Sequence, residues 1–533
     1  MPQQPSKSAS LIALCLLATT ALAAPRPPEV RPVQTANGKV LGVLTPDQKV
    51  IAYKGIPYAQ PPVEELRWKP PMPINRWKGV LNARDFGSHC IQFGSYPDMV
   101  FHDPGPSEDC LTLNIWEPAD IKLDRKSPGL PVMVWIYGGG FTTGGTSENR
   151  QNGEFLARRG VIVVSMNYRL GLFGFLALPE LTTESDHHTS GNYGLLDQAA
   201  ALAWVKRNIA VFGGDPDNVT LFGESAGSFS VSAQMASPLT TGFFTKAIGE
   251  SGAAFPGSDL PFLPREQAEQ ADAAWAEHAF GSSKLFYLRQ IPTDEIAKSA
   301  MSKTAPPFHP VVDGFFLPDT VANIYADGKQ AHIPVLGGWN ANERPSPQTL
   351  SAESFTAQAT QAFGANAPDF LAAYPAHTDA EAVRSAGDYA SDHFIAFATW
   401  AWLEAQAKTG HAPVYRYFFD LASPGDRNHS ASLGAFHSDD IEYVFGTLDS
   451  RPGMQVRPID RALSDMMQQY WTNFAKSKTG DPNGPGLAPW PAYNAASAWQ
   501  VMHLDATPEA RPETLRPRYL FLDKLWDKPT NPQ

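Results

Sequence analysis

The stretch Val219-Thr-Leu-Phe-Gly-Glu-Ser-Ala-Gly227 sets Ser225 at the centre of a G-x-S-x-G pattern, directly after a β-branched and aromatic run. The apolar run reads as a strand. The glycines on either side let the chain turn sharply into a helix, which lifts the serine side chain above the edge of a sheet. A serine hydroxyl is a poor nucleophile at neutral pH; it needs exposure, a base within hydrogen-bond reach and donors for the oxyanion that its attack creates. The turn supplies the exposure and one donor, the amide of Ala226. The same spacing also occurs in ordinary tight turns, so the rest of the chain has to supply the remaining parts.

Working outward, apolar β-rich runs recur at 131–136, 161–166, 333–336 and 414–419, and a last one lies at 499–504. Between the second run and the serine strand, residues 195–212 repeat Leu, Ala, Trp and Val at i, i+3 and i+4 and end at Gly213-Gly214, the pattern of a crossover helix. Strands alternating with helices imply an α/β fold with a large, mainly parallel sheet covered on both faces. No internal repeat or Gly/Ser linker divides the chain, so residues 24–533 read as one domain with long loop insertions, opening with a small antiparallel piece. The 48 prolines and 42 glycines are spread throughout, as expected of many ordered loops able to wall a deep pocket.

The chain has 533 residues, 43% of them hydrophobic and 18% charged, enough for a large core. A formal net charge of −12 and the absence of a long Lys/Arg cluster argue against nucleic acid or an anionic membrane surface as partner, and favour small neutral molecules. Lys7, an apolar segment at 11–17 and Ala21-Leu22-Ala23 before Ala24-Pro25 read as a secretory signal peptide over residues 1–23. That segment is too short for a permanent membrane anchor, and no other run approaches ~20 uninterrupted apolar residues. The expected location is therefore secreted or periplasmic. Of three cysteines, Cys15 lies in the leader, leaving Cys90 and Cys110 as a single potential pair that an oxidising compartment would bond.

In α/β-hydrolases the nucleophile, acid and histidine follow in that order, each after a strand at one edge of the sheet. By that rule the run Ile333-Pro-Val-Leu-Gly-Gly-Trp-Asn-Ala-Asn-Glu343 ends a strand in a polar turn and puts Glu343 where an acid orients an imidazole. Two histidines follow the next strand. His429 sits among Asp426, Arg427, Asn428 and Ser430, a solvated turn composition, whereas His437 lies between Phe436 and a turn leading into an apolar run, so His437 is the favoured base. A histidine base would make activity fall as pH drops through the range near ~6.5. Upstream, Val134-Trp-Ile-Tyr-Gly-Gly-Gly-Phe141 places consecutive glycines after a strand, where backbone amides can approach a ligand; Gly139, Gly140 and Ala226 are the expected oxyanion donors. No Lys-Ser/Thr follows and no G-x-G-x-x-G precedes a helix, which disfavours nucleotide binding. Asp186-His187-His188 reads as a solvated loop without further metal-ligand spacing, so no metal is expected.

Taken together these stretches resemble the type-B carboxylesterases, the family that also includes cholinesterases. The resemblance runs from about Val33 to Leu504 and is carried by Lys54-Gly-Ile-Pro-Tyr-Ala-Gln-Pro-Pro62, Ser107-Glu-Asp-Cys-Leu-Thr-Leu-Asn-Ile-Trp116, Asn167-Tyr-Arg-Leu-Gly171, Gly191-Asn-Tyr-Gly-Leu-Leu-Asp197 and Pro310-Val-Val-Asp-Gly314. It implies an α/β-hydrolase fold, Ser225, Glu343 and His437 as triad, Gly139, Gly140 and Ala226 as oxyanion hole, and Cys90 with Cys110 as a loop-closing disulfide. The expected activity is hydrolysis of small carboxylic esters through an acyl-enzyme, with no cofactor. Two departures stand out: many relatives read Asp-Glu-Gly where this chain has Asn342-Glu343-Arg344, and Tyr137 replaces the histidine that many bacterial relatives place before the glycines. A lipase, cutinase or specialised ester-toxin hydrolase would share the same motifs, and a cholinesterase-like binding protein would share the fold without the chemistry.

Overall fold

Ile162–Met166 and Lys246–Glu250 are buried at every position. Successive strand side chains point to opposite faces, so a strand with no exposed residue is covered on both sides. The computed structural model describes Met1 and residues 30–92, 94, 96–121, 128–425 and 434–526. Its main sheet contains β1 (Val43–Leu44), β2 (Val50–Pro57), β3 (Thr112–Pro118), β4 (Leu130–Ile136), β5 (Ile162–Met166), β6 (Gly214–Glu224), β7 (Lys246–Glu250), β8 (Val335–Asn340), β9 (Val414–Phe419), β10 (Gln500–Leu504) and β11 (Glu509–Pro512). They lie in the order β11-β10-β9-β8-β7-β6-β4-β5-β3-β2-β1.

From β10 to β5 every neighbouring pair is parallel. The flanks are antiparallel: β11 on β10 at one end, and β3, β2 and β1 at the other. The sheet is thus mixed, with a parallel centre. Residues 195–212 form a helix at Tyr193–Asn208 that tightens to a 3-10 turn at Ile209–Phe212, and Gly213 in the left-handed region closes it. The helix Ala226–Ala236, buried throughout, packs on β6 and β7, while Phe397–Thr409 packs on β8 and Pro458–Lys476 on β4 and β6.

Two sequence expectations shift. The strand expected at 333–336 begins at Val335 and runs to Asn340, because Pro334 has no N–H for the ladder and Gly337 and Gly338 pair in register with Gly249 and Glu250 of β7. The opening piece of Val33–Gln34, Lys39–Leu41 and Val80–Asn82 is only half antiparallel: its first pair is antiparallel and its second, joined to a distant segment, is parallel. Residues 1–23, apart from Met1, lie outside the described residues, and among those described no helix is long and apolar enough to cross a membrane.

Because β4, β6, β8 and β9 all run the same way, their C-terminal ends share one edge of the sheet. The chain leaves these ends towards Gly139, Ser225, Glu343 and His437 respectively. The topology alone gathers these residues.

Candidate active site

Ser225 sits between β6 and the helix Ala226–Ala236 with φ 54° and ψ −126°, a backbone conformation that costs a side-chain-bearing residue energy. The flanking glycines serve a different need from the turning freedom expected of them. A Cβ on Gly227 would lie 2.0 Å from the Ile136 carbonyl oxygen, and one on Gly223 would lie 2.7 Å from both that oxygen and the Gly227 carbonyl. The end of β4 presses against the turn, and only glycine leaves room. The Ser225 amide donates to the Glu250 carbonyl at 2.9 Å, pinning the turn to β7.

His437 Nε2 lies 2.9 Å from Ser225 Oγ, and its Nδ1 lies 2.6 Å from Glu343 Oε2. A carboxylate at Nδ1 fixes the tautomer with the proton there, leaving Nε2 to accept from the serine. Glu343 is 2% exposed, and its other oxygen accepts from the Ser251 hydroxyl at 2.6 Å and the Asn340 amide at 2.7 Å. The acid loop and the histidine loop are clamped together: the Asn342 amide donates to the Ala435 carbonyl at 2.8 Å, and Asn340 Nδ2 donates to the Phe436 carbonyl at 2.8 Å.

Burial disfavours the charged imidazole of His437, but the neighbouring carboxylates Glu224 and Glu343 outweigh it and raise the group to about 9. Glu224 Oε1 stands 3.4 Å from His437 Nε2 and makes no hydrogen bond among the described residues. Burial pushes Glu224 up to about 8, with His437 opposing. Behind it, burial raises Asp440 to about 6; its carboxylate accepts from the Tyr417 hydroxyl at 2.8 Å.

The amides of Gly139, Gly140 and Ala226 have no protein acceptor among the described residues, and the Gly139 carbonyl takes the amides of Thr142 and Thr143 at 3.1 Å. His309 hydrogen-bonds the backbone of Gly140; burial holds its imidazole down at about 4, so it stays neutral. A cavity of about 500 Å³ opens on Ser225, His437, Gly139 and Gly140. Tyr96 and Phe394 lie in its wall.

Cys90 and Cys110 are joined, S–S 2.07 Å. His429 and Asn428 lie outside the described residues. Asp186, His187 and His188 are exposed, and His187 stacks on Phe315; among the described residues no group of His, Cys, Asp and Glu could hold a metal. Tyr137 is buried and stacked on Tyr168, with ring centroids 4.6 Å apart. Ser251, Asp440 and His309 were not legible as site residues; His309 directly precedes the Pro310-Val-Val-Asp-Gly314 stretch, which is the one signal that pointed near it.

A serine on a strand-to-helix turn, with an acid and an imidazole reaching it across one edge of a largely parallel sheet, defines the α/β-hydrolase fold. The pattern of the Carboxylesterase family matches residues 29–521. The chain is 36% identical to para-nitrobenzyl esterase of Bacillus subtilis (strain 168) over 514 residues, covering 92% of this chain and 99% of that one. It is also 36% identical over 491 residues to fumonisin B1 esterase of Sphingopyxis macrogoltabida, covering 86% and 84%. With liver carboxylesterase 1 of Oryctolagus cuniculus it shares 32% over 594 residues, covering 97% of each. A solved structure of PNB esterase superposes with a TM-score of 0.77 at 35% identity, covering 92% of this chain and 99% of that one. The protein belongs to the carboxylesterase family and is a carboxylic-ester hydrolase.

Proposed function

We propose that the protein is a secreted or periplasmic serine esterase, made with a leader over residues 1–23 and acting as one domain over 24–533, that cleaves small carboxylic esters through an acyl-enzyme. The observation that carries this reading is the line Ser225–His437–Glu343, with contacts of 2.9 Å and 2.6 Å. His437 Nε2 takes the Ser225 proton as Oγ bonds to the ester carbonyl carbon, and the carbonyl electron pair moves onto oxygen. The amides of Gly139, Gly140 and Ala226 receive that oxyanion, which is consistent with their lack of a protein acceptor among the described residues. When the pair returns, the carbon–oxygen bond to the alcohol breaks and the alcohol leaves with the proton from His437. Water then repeats the sequence on the acyl-serine, giving its proton to His437, and Ser225 is restored as the acid departs. Glu343 holds the tautomer and offsets the imidazolium charge. The scheme calls on no cofactor.

The test is covalent trapping. A phosphonofluoridate should add one adduct to the secreted enzyme, within the peptide containing Ser225, and abolish ester hydrolysis; Ser225→Ala should take none. An adduct elsewhere, or turnover by the folded variant, overturns the assignment. Intact mass of the secreted protein should start near Ala24.

A further inference from the structure

Next to the acid stands a cation that the hydrolytic scheme does not use. Arg344 follows Glu343 directly, and its backbone is held by Ser391, whose hydroxyl accepts from the Arg344 amide at 3.0 Å. The side chain is 47% exposed and lines the same cavity as Ser225 and His437. Its guanidinium lies 3.8 Å from the centroid of the Phe394 ring, and that ring meets the His437 imidazole edge to face, 4.9 Å between centroids. Among the described residues, Nη2 is the one guanidinium nitrogen with a partner, Asp259 Oδ2 at 3.3 Å. Asp259 is itself shared with His393 Nδ1 at 3.1 Å.

Stacking on a ring fixes the plane of a guanidinium and leaves its N–H edges outward, the geometry that grips a carboxylate through two parallel hydrogen bonds. The competing contact to Asp259 is long and solvent-exposed, so it holds the cation weakly. The net charge of −12 repels anions at long range, but salt screens that field beyond ~8 Å, whereas the fork acts at contact. Side is set by the chemistry: in the proposed mechanism His437 Nε2 must reach the departing oxygen, so the alcohol part runs past the imidazole and onto its neighbour Phe394.

We propose that Arg344, held on Phe394, is a specificity subsite for a carboxylate carried by the alcohol part of the ester. This rests on the Ser225–His437 reading above.

The experiment compares kcat/KM of the full-length secreted enzyme for the butanoate ester of 3-hydroxybenzoate and for the same ester with the carboxyl methylated. Intrinsic reactivity cancels when the anionic-to-neutral ratio is compared between variants. Arg344→Met should lower this ratio by about tenfold or more, Arg344→Lys should lie between, since lysine supplies charge without the fork, and Asp259→Asn should raise it. A ratio within about twofold of wild type in Arg344→Met overturns the subsite. If Arg344→Met does not fold, Asp259→Asn decides: a ratio that stays level or falls overturns the subsite. A second pair, phenyl hemisuccinate and its methyl ester, carries the carboxylate on the acyl side; if Arg344→Met moves this ratio and not the first, the alcohol-side placement is wrong. Loss of the parent reading looks different, because the methylated, neutral ester would then be cleaved as well by Ser225→Ala as by wild type.

Discussion

The Ser251 hydroxyl donates to Glu343 Oε1 at 2.6 Å, while Oε2 of the same carboxylate faces His437 Nδ1 at 2.6 Å. Ser251 is fully buried and 92 residues away in sequence from the acid it holds. A buried carboxylate with a single hydrogen bond can swing; with Ser251 and the Asn340 amide on one oxygen, the other is aimed at the imidazole. Ser251→Ala should therefore lower kcat by about tenfold, the scale of one hydrogen bond to a charged group. The check is kcat and KM on a neutral ester beside a melting curve; an unchanged kcat in the folded variant would mean the Asn340 amide suffices.

Ser225→Ala and His437→Ala should each cost at least ~10³-fold in kcat while the fold is kept. His429→Ala should leave kcat within about threefold of wild type, because only His437 is proposed as the base. Equal losses in both histidine variants would undo that choice.

The pH profile should differ from that of a free histidine. Burial acts against the His437 imidazolium, yet Glu224 and Glu343 together raise the group to about 9. Only neutral imidazole accepts the serine proton, so kcat/KM is lost as pH falls through the raised value, and the acid limb should lie above the ~6.5 expected from sequence alone. Glu224→Gln removes one of the two carboxylates and should move the limb to lower pH by about one unit. A limb that stays in place would show that Glu224 carries no charge felt by the base.

The meeting of Ser225, Glu343 and His437 at one sheet edge was legible because each obeys a local rule: a strand, a short polar turn, a polar side chain. Their supports were not. Ser251 reaches Glu343 and His309 reaches Gly140 only once distant segments meet at the sheet edge, and nothing in the local composition announces that. Gly223 and Gly227 were correctly singled out but for turning freedom, whereas the need is space beside Ile136 of β4. The parallel centre followed from alternating strands and helices; the antiparallel flanks did not, since β1 has two residues and β11 four, too few for a periodic signal, and the antiparallel pairing of the longer β2 and β3 is set by contacts between segments distant in sequence. Arg344 was visible as a departure, but its seat on Phe394 depends on the helical region around 392–397 folding against the acid loop.

Gly227→Ala tests the steric argument. The new methyl would sit 2.0 Å from a backbone oxygen of β4, which cannot move without disturbing the sheet centre. Expected is a loss of at least ~2 kcal/mol in stability, with poor yield of folded protein. A variant melting within a degree or two of wild type would refute the close-approach account.

Choline esters give the remaining test. A quaternary ammonium is held best over an aromatic face, tryptophan above all. The segment from Cys90 to Cys110 contains no tryptophan, and of its aromatic residues Tyr96 lines the cavity, Phe101 stacks on His89 at 4.4 Å, and Phe93 lies outside the described residues. The face of Phe394 is taken by the Arg344 guanidinium at 3.8 Å, which would also repel a second cation. Glu224 and Asp259 attract cations, and the acidic net charge steers them inward, so the outcome turns on the contact site and not on the field. Neutral alkyl or aryl esters should exceed acylcholines of equal acyl length in kcat/KM. If the acylcholine instead wins by about tenfold, roughly 1.4 kcal/mol of transition-state preference, Tyr96 or another ring must form a cation site, and the proposed substrate class is wrong.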